Sequence, residues 1–559
     1  MILGIDVGGT HTDAVLIDNG KIVRKSKVVT DADNLLISLT AATDQIVDNT
    51  VIPQLERIVL STTLSTNAIV QNKIDRVGLM VISGPGLPPE TLHVFPDTRF
   101  LSGYINHRGK EMAPINPKEA QSSVADFVSQ QIRHIGIVGK FSTRNPQHEI
   151  ELKKTASKEA THVTLGHTVS GHLNFPRRIA TTFLNEAIFD LYQDFAKQVS
   201  DFAGKRGINI PIYIMKADGG VLELSQSLDF PVQTILSGPA ASMMGILATT
   251  ECNADSIAFD IGGTTTDIGL FADGAPLLEP FGMAIEGKKT LIRGLRTKSI
   301  GIGGDSVVKI ENGKLSIGPN REGPAAALGG PFPTPTDAMI VLGMTNIGEM
   351  KKAADSLIQI AESLHCDTRE AAQSIFTETC RQIASAAVEF LEEVNDRPVY
   401  TIHDMLMNKK IEPRFVCVVG GPAQAMAPEI TRLLKTRLPD HDCEFRIPFN
   451  YEIANAIGAA LARTTTELTL LADTEQRILT IAEEGSQTPI PSNFTIEDAI
   501  RIGREKLTEK IFKSDRSAKK PEIEVVESQE FNIVDEFYTV GKNIRIKLQV
   551  KPGSIAECR

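Results

Sequence analysis

An eleven-residue pattern occurs twice in this chain, 254 residues apart, and this repeat restricts the fold more than any other feature. Residues 6–16 read DVGGTHTDAVL and residues 260–270 read DIGGTTTDIGL, so seven of the eleven positions are identical. Apolar residues precede and follow each copy, which predicts a β-hairpin with a Gly-Gly turn. Two copies at the spacing of a domain predict two similar α/β domains that face each other rather than a solenoid.

Both predicted hairpins have the chemistry that a nucleotide phosphate requires. Glycines let a backbone turn approach a phosphate and expose N–H groups to it. One copy alone is more often an ordinary turn, but two copies at this spacing favour ATP binding. The hairpin residues predicted to bind ATP are Gly8, Gly9, Thr10, Thr12, Gly262, Gly263, Thr264, Thr265 and Thr266.

Four aspartates are the catalytic candidates. Asp6 and Asp260, at the strand ends, can hold Mg²⁺ directly or through water, because hard cations prefer carboxylate oxygen. They would position the metal and the attacked phosphorus, since phosphoryl transfer needs little beyond a metal, N–H donors and a carboxylate. Asp13 and Asp267 rank second, because the hairpin could equally use them to hold its own turn. ATP and Mg²⁺ are the predicted cofactors.

A third element follows in the second half of the chain. An apolar run at residues 416–419 predicts a buried strand, which leads into Gly420, Gly421 and Pro422. Bare backbone at this point suits an adenine and ribose, although alone it could equally be a tight strand–helix junction. The order of the three elements resembles the sugar-kinase/Hsp70/actin superfamily. That resemblance implies an α/β fold with two ribonuclease-H-like (actin-like ATPase) domains flanking a nucleotide cleft.

Further motifs narrow the resemblance. They lie at residues 61–68, 145–149, 218–220, 237–240, 301–306, 335–338 and 455–459. These segments look like signatures of the hydantoinase A/5-oxoprolinase/acetone carboxylase beta-subunit family, and residues 537–544 look like the tail of its shorter members. Two positions depart from the family pattern, because Asp305 replaces a glycine and Asp218 replaces an asparagine. Either carboxylate could alter the preferred substrate charge or the metal. Lys216, close to Asp218, could meet a phosphate or a substrate carboxylate, or be simply solvated.

The family resemblance implies an ATP-dependent hydrolase. Such an enzyme phosphorylates the carbonyl or amide oxygen of a small cyclic amide (a lactam, a hydantoin or a 5-oxoproline-like ring) to drive ring opening. It implies a second protein subunit, a homo-oligomer or both. One alternative is activation of a ketone for carboxylation, as in acetone carboxylase. The other is a non-catalytic actin- or Hsp70-like ATP switch that regulates a partner protein. The sequence does not identify the substrate, the partner subunit or the oligomeric state.

We predict three regions along the chain. Residues 1–177 form an N-terminal hydantoinase/oxoprolinase-type domain, residues 178–464 an ATPase domain with the second phosphate motif and the adenosine motif, and residues 465–559 a small C-terminal α+β module. Apolar periodicity predicts one long helix over residues 178–203 and helix over residues 350–396. In the module, alternating apolar residues predict either a strand edge that pairs with another subunit or packing on the same chain: Ile544, Ile546, Leu548 and Val550.

Composition excludes several other classes. The formal net charge of −11 disfavours a nucleic-acid partner, because phosphate backbones attract clustered lysine and arginine. The N-terminus lacks the basic region of a signal peptide, and no apolar run approaches the ~18 residues that span a bilayer. We therefore expect a cytoplasmic protein with no membrane contact. The six cysteines form no C-x-x-C pair, which argues against an iron–sulfur cluster or a zinc knuckle.

Overall fold

The first copy of the repeat forms a hairpin in a six-stranded sheet, called here the first sheet. The computed structural model describes residues 1–31, 34–92, 95–396, 410–438, 442–515 and 521–558. Strand Ile2–Val7 is antiparallel to His11–Asp18 and parallel to Arg57–Thr62. In order, the strands of the sheet are Val221–Glu223, Ile212–Met215, Arg57–Thr62, Ile2–Val7, His11–Asp18 and Lys21–Val29.

The second copy forms the matching hairpin of a second sheet. Asp6 pairs with Asp13 across the first hairpin, and Asp260 pairs with Asp267 across the second, so the sequence repeat is also a structural repeat. In order, the strands of the second sheet are Ala275–Pro276, Thr266–Ala272, Ser256–Ile261, Phe415–Val419 and Glu444–Arg446, with Thr297–Ile300 also beside Thr266–Ala272. Each sheet has an antiparallel meander that continues into parallel strands, and the predicted fold class is confirmed.

Two helices, Ser237–Thr249 and Ala454–Leu461, pack against each other at the junction of the two sheets. The first contacts strands of both sheets, and the second packs on the first sheet. Their backbones touch where both helices carry glycine. A Cβ atom on Gly458 would overlap the carbonyl oxygen of Ala241 and the amide nitrogen of Gly245. The small residues of the motif at 455–459 therefore permit a close helix crossing.

A parallel four-stranded sheet lies beside the first sheet in the N-terminal half. Its strands, in order, are His162–Leu165, His134–Gly139, Val77–Ile82 and Thr98–Phe100. Helices Pro117–Ser129, Gln147–Ala156 and Phe175–Ala187 contact it or one another. The division of the chain at residues 177 and 464 stays a prediction. Residue 177 lies inside a helix, and strand Ile212–Met215 belongs to the first sheet.

Two long helical predictions need correction. Residues 178–203 lie in two helices, Phe175–Ala187 and Phe189–Lys205, which are separated at Ile188. Residues 350–396 also form two helices, because His365 adopts a left-handed conformation and Asp367 caps the helix that follows. The helices of that region are Pro335–Val341, Met350–Leu364 and Thr368–Asn395.

The remaining elements are short or peripheral. The other α-helices are Leu35–Asp44, Leu64–Val70, Pro89–Leu92, Gly166–Val169, Leu224–Ser227 and Ala423–Arg437. The 3₁₀ helices are Ile52–Gln54, Pro231–Thr234, Ala326–Leu328 and Tyr451–Ile453. Two-stranded ribbons pair Tyr104–Ile105 with Glu111–Ala113, Ala284–Ile285 with Lys288–Lys289, and Val308–Glu311 with Lys314–Ile317. All six cysteines are free thiols, and none of the helices in the described ranges is both long and apolar enough to cross a bilayer.

The C-terminal residues form a five-stranded antiparallel sheet, called here the C-terminal sheet, on which helix Ile496–Ser514 packs. Its strands, in order, are Ser486–Pro489, Ile478–Ile481, Glu467–Asp473, Tyr538–Val550 and Ile523–Asp535. Strand Tyr538–Val550 is paired on both sides, and its four alternating apolar residues are buried. Of the two alternatives for these residues, packing on the same chain is therefore correct, and the edge strand is Ile523–Asp535.

The contact between the C-terminal sheet and the N-terminal half gives a prediction about pH. Lys547 Nζ lies 2.7 Å from His172 Nε2, and an ammonium group can only donate, so this imidazole is neutral. Burial, together with the charge of Lys547, lowers the pKa of His172 from 6.5 to about 4. As the pH falls, His172 is therefore protonated at a higher pH in the unfolded chain than in the folded chain. The stability that the neutral imidazole contributes is lost between about pH 6.5 and pH 4.

Substituting His172→Gln should remove this part of the pH dependence. Melting temperatures of both proteins at pH 7.5 and pH 5 are expected to show a larger acid-induced drop for the wild type than for the variant. Equal drops would show that His172 does not titrate in this way.

Candidate functional site

Both hairpin turns line one cleft between the two sheets, which encloses a cavity of about 490 Å³. Equivalent backbone hydrogen bonds close the turns. The Gly8 N–H donates to the carbonyl of His11 (3.1 Å), and the Gly262 N–H donates to the carbonyl of Thr265 (2.9 Å). Predicted residues that line this cavity are Asp6, Gly8, Gly9, Thr10, Asp13, Asp260, Gly262, Gly263, Thr264, Thr265, Asp267, Gly420, Gly421 and Pro422.

Two predicted phosphate ligands lie elsewhere. Thr12 and Thr266 occupy equivalent positions in the two hairpins, and both are fully buried. The Thr12 hydroxyl bonds the hydroxyl of Thr30 (2.9 Å), and the Thr266 hydroxyl donates to the carbonyl of Ile302 (2.7 Å). Successive side chains of a strand point to opposite faces, so a threonine next to an aspartate that faces the cleft must point away from it. These two hydroxyls support the hairpins and do not face the cleft.

The four aspartates of the hairpins line the cleft. Burial, reinforced by the charges of Asp13 and Asp260, raises the pKa of Asp6 to about 7. Burial and the charge of Asp260 likewise raise the pKa of Asp267 to about 7. In the described part of the chain, Asp6 Oδ1 accepts no hydrogen bond although it is buried. Carboxylates that repel one another, with one buried oxygen that has no donor, fit a hard divalent cation, so Asp6 and Asp260 suit Mg²⁺.

Asp260 is held in place from the helix junction. Its Oδ2 accepts hydrogen bonds from Ser242 Oγ (2.6 Å) and from Asn455 Nδ2 (3.2 Å). Asn455 and Asp6 both line the cleft, and the Asn455 amide acts to lower the pKa of Asp6 against the larger effect of burial. The motif at residues 455–459 contains Asn455, but its local pattern does not predict a contact with an aspartate. No local signal could have shown the contact with Asp260, because this residue is 195 positions away in the chain.

Asp13 has an ordinary structural partner. Lys27 Nζ lies 2.9 Å and 3.0 Å from its two carboxylate oxygens and also donates to the carbonyl of Glu452 (3.1 Å). Lys27 therefore ties the first hairpin to the 3₁₀ helix Tyr451–Ile453, which precedes helix Ala454–Leu461. The ion pair agrees with the alternative that Asp13 stabilises its own hairpin. Asp13 nevertheless also lines the cavity. Lys27 was not among the predicted site residues.

Asp305, one of the two departures from the family pattern, lies against the second turn. Its N–H donates to the carbonyl of Gly263 (2.7 Å), and a Cβ atom on Gly263 would lie only 2.7 Å from Asp305 Oδ2. Burial raises the pKa of Asp305, whereas the Arg321 guanidinium, 3.3 Å away, opposes that shift. The carboxylate is thus beside the predicted phosphate position, with a paired cation.

The third predicted element lines the same cleft, next to Asp260. Strand Phe415–Val419 ends at Gly420, whose φ of 93° and close approach to neighbouring atoms require glycine. A Cβ atom there would lie 2.8 Å from Asp260 Oδ1. The surrounding wall has an apolar part formed by Met339, Met344, Ile347 and Ala425. This geometry suits a purine ring, as the sequence predicts for Gly420, Gly421 and Pro422.

Comparison with known proteins agrees with this geometry. The chain is 24% identical to caprolactamase subunit alpha of Pseudomonas jessenii over 463 residues, which cover 76% of this chain and 65% of that subunit. It is 24% identical to the acetophenone carboxylase gamma subunit of Aromatoleum aromaticum over 446 residues, which cover 69% of this chain and 60% of that subunit. The chain therefore spans less than two thirds of the length of either relative.

Two solved structures share the fold. A nucleotide-free acetone carboxylase superposes with a TM-score of 0.71 at 17% identity, covering 100% of this chain and 88% of that one. The ATP-dependent caprolactamase from Pseudomonas jessenii superposes with a TM-score of 0.70 at 19% identity, covering 98% and 87%. The hydantoinase/oxoprolinase family model matches residues 178–468, and the model of the hydantoinase/oxoprolinase N-terminal region matches residues 2–160. With both repeated hairpins inside these matches and facing one cleft, the chain belongs to the hydantoinase/oxoprolinase family.

Proposed function

We propose that this chain binds ATP in the cleft and uses it to phosphorylate the carbonyl oxygen of a small cyclic amide, which drives ring opening. The observation that carries the proposal is the pair of equivalent Gly-Gly turns on opposite walls of one cavity, with repelling carboxylates between them. Such an arrangement offers N–H donors from both sides and a place for a cation. The similarity to caprolactamase, which acts on a lactam, supports the amide class.

The reaction needs one phosphoryl transfer and two water molecules. The amide oxygen attacks the γ-phosphorus, the bond between that phosphorus and the β,γ-bridging oxygen breaks, and ADP leaves. Water then adds to the carbon that bears the phosphorylated oxygen, and the C–N bond breaks as the nitrogen takes a proton, which leaves an acyl phosphate. A second water hydrolyses this acyl phosphate and releases inorganic phosphate. The products are the ring-opened amino acid, ADP and phosphate.

The residues of this chain would bind and orient the reactants. Backbone N–H groups of the turns at residues 8–10 and 262–265 would bind the phosphates, and Gly420 to Pro422 would contact the adenosine. Asp6 and Asp260 would hold Mg²⁺, which neutralises developing charge on the phosphates when it is bound. Asn455 and Ser242 would keep the Asp260 carboxylate in position. Closure of the cleft would exclude water and strengthen each of these contacts.

A second candidate activity is phosphorylation of a ketone for carboxylation. The similarity to the acetophenone carboxylase gamma subunit and to acetone carboxylase favours it. Both candidates begin with the same attack of a carbonyl oxygen on the γ-phosphorus, so the ATP site is the same in each. They differ in what happens to the activated carbon, which the partner subunit would decide.

One assay separates these candidates. ADP release is measured with a panel of lactams and hydantoins, and with acetone and acetophenone in the presence and absence of bicarbonate. Stimulation by a cyclic amide alone supports the hydrolase, and stimulation by a ketone supports the carboxylase. Turnover that responds only to an added protein would contradict both and indicate an ATP switch.

A partner subunit is part of the proposal, and the C-terminal hairpin is the surface that we expect it to use. The turn between strands Ile523–Asp535 and Tyr538–Val550 exposes aromatic and aliphatic side chains: Phe531 (61% exposed), Val534 (60%), Phe537 (94%) and Tyr538 (76%). Exposed apolar groups at the end of an edge strand are typical of an interaction site. Relatives are named as subunits, which supports the same view.

Replacing Phe537 and Tyr538 by serine should therefore reduce assembly. Light scattering after gel filtration would measure the mass of the chain alone and with a co-expressed second subunit, and the double variant is expected to shift toward the mass of a single chain. The control is Phe449→Ser, which removes an equally exposed phenylalanine (89%) elsewhere on the surface. Unchanged assembly of the double variant would rule out the hairpin as the contact.

A further inference from the structure

A second cavity, of about 310 Å³, lies between the first sheet and the C-terminal sheet. Lys216 follows strand Ile212–Met215 of the first sheet directly, and Glu467 opens the first strand of the C-terminal sheet. One side of the cavity is apolar, with Leu222, Phe230 and Leu291. The other side carries charged groups that the ATP site does not use. Its volume is at the lower end of the range for small-molecule pockets.

Three charged side chains form the polar wall, of which Lys216 and Asp218 are buried and Arg293 is partly buried. Asp218 Oδ2 lies 3.0 Å from Arg293 Nη1 and 3.3 Å from Lys216 Nζ, and it accepts a hydrogen bond from Thr465 Oγ1 (2.8 Å). The side chains of Lys216 and Asp218 are only 7% and 2% exposed. Arg293 Nε also lies 3.9 Å from Glu467 Oε2, which pairs with Lys547 as well, so three cations share two carboxylates and one positive charge is left uncompensated. An uncompensated buried charge is costly unless a counter-ion binds.

The other charged groups around the cavity do not supply that counter-ion. Glu467 is already included in this count, and its Oε2 lies nearer to Lys547 Nζ (2.9 Å) than to Arg293 Nε (3.9 Å). Burial raises the pKa of Glu483, which favours its uncharged form. His172, beside Lys547, is neutral. Lys510 and Glu484 are exposed at the rim and carry opposite charges.

The cavity lies on the same edge of the first sheet as the ATP cleft. Strand Ile212–Met215 is two strands away from Ile2–Val7, parallel to it, and its carboxyl end leads to Lys216. Neighbouring strands are separated by about 4.8 Å, so the two strand ends are about 10 Å apart. The segment 231–239 contributes Val232 and Gln233 to the second cavity and Gly238 and Pro239 to the cleft. A small molecule in the cavity would therefore be close to the phosphates.

We infer that this second cavity binds the small-molecule substrate and that this substrate carries a carboxylate, which would pair with Arg293 and Lys216. The inference rests on the proposed function, in which a carbonyl compound must lie near the γ-phosphate. The carboxylate would provide the missing negative charge, and the apolar side would contact the ring. Asp218, where the family has an asparagine, would then reduce the net positive charge of the site rather than bind the substrate.

Two lactams that differ only in the carboxylate test the inference: 5-oxoproline and 2-pyrrolidinone. Calorimetric titration of the full chain should show that 5-oxoproline binds about tenfold more tightly or better, because charge-assisted hydrogen bonds to a partly buried arginine exceed neutral ones. Arg293→Gln should remove most of this preference and leave 2-pyrrolidinone binding as the fold control, and Arg293→Lys should restore part of it. Asp218→Asn should increase the preference, because it adds one net positive charge.

The opposite signs expected for Arg293→Gln and Asp218→Asn distinguish a charge effect from structural damage, which would lower binding of both lactams. Thr466→Tyr, which adds bulk to the cavity wall without changing charge, should weaken both. Equal affinities of the wild type for the two lactams, absence of binding of either at millimolar concentration, or a reduced preference in Asp218→Asn would overturn the inference. Mg·ATP binding to the same wild-type preparation is measured separately, and its absence would overturn the proposed function instead.

Discussion

Replacing Asp260 by asparagine should lower the Mg²⁺-dependent ATP turnover of this chain by about tenfold or more, since each ~1.4 kcal/mol lost from the transition state is a factor of ten. Asp260 lines the cleft at the end of a hairpin strand, and Ser242 and Asn455 fix the direction of its carboxylate. An amide has the same shape but no charge for the cation. Steady-state ADP release at saturating Mg²⁺ and ATP measures the effect.

The same substitution has the opposite effect on stability, and this provides its control. The charge of Asp260 raises the pKa of both Asp6 and Asp267, so removing it relieves repulsion among buried carboxylates. At pH 8 and without Mg²⁺, the melting temperature of Asp260→Asn should therefore equal or exceed that of the wild type. Full turnover in a folded variant would remove Asp260 from the mechanism, and a large drop in melting temperature would show that the loss of activity is structural.

The second large effect is expected at the helix junction. Gly458→Ala should destabilise the protein by on the order of 3 kcal/mol, at the upper end for overpacking, because the atoms that the new Cβ would meet are backbone atoms of helix Ser237–Thr249. Backbone cannot rotate away as a flexible side chain can. The two helices would have to separate, and Asn455, one turn earlier, would move with them. We therefore expect a lower melting temperature together with weaker Mg·ATP binding.

Gly204→Ala is the matched control for this prediction. Gly204 lies in helix Phe189–Lys205, and a Cβ atom there would meet nothing within 4 Å. Alanine at this position should be neutral or stabilising by about 0.5–1 kcal/mol, because glycine is the poorer helix former. Differential scanning fluorimetry of both variants compares them directly. If the two variants had equal melting temperatures, the close helix crossing would not constrain the fold.

The sequence alone predicts those parts of the site that are formed by neighbouring residues of the chain. A glycine turn between two apolar runs predicts a hairpin from neighbouring residues alone, and the repetition of that hairpin predicts two related sheets. The cleft accordingly contains both turns and the Gly420 segment, as expected. The strand Ile212–Met215 has the bounds that its apolar run indicates.

Errors and open alternatives arose where the outcome depends on distant residues. Thr12 and Thr266 share the composition of the turns, but strand alternation points them away from the cleft, toward Thr30 and Ile302. The apolar alternation of strand Tyr538–Val550 marks a buried strand, and only its pairing with Glu467–Asp473 shows that it is not an edge. The contact of Asn455 with Asp260 and the burial of Lys216 depend equally on distant chain segments.

The prediction of one helix over residues 178–203 is wrong for a different reason. Helical periodicity continues through Ile188, so the apolar pattern has no gap there. The backbone of Ile188 nevertheless leaves the helical region at φ −113° and ψ 9°, and its side chain is fully buried. Tertiary packing therefore ends one helix and starts the next at a residue that periodicity alone would leave inside a helix.

A structure of the chain with Mg²⁺ and a non-hydrolysable ATP analogue tests the central claim most directly. The account predicts phosphates between the turns at residues 8–10 and 262–265, a cation at Asp6 and Asp260, and adenine beside Gly420. A nucleotide bound elsewhere on the chain, or no binding at millimolar concentration, would contradict it.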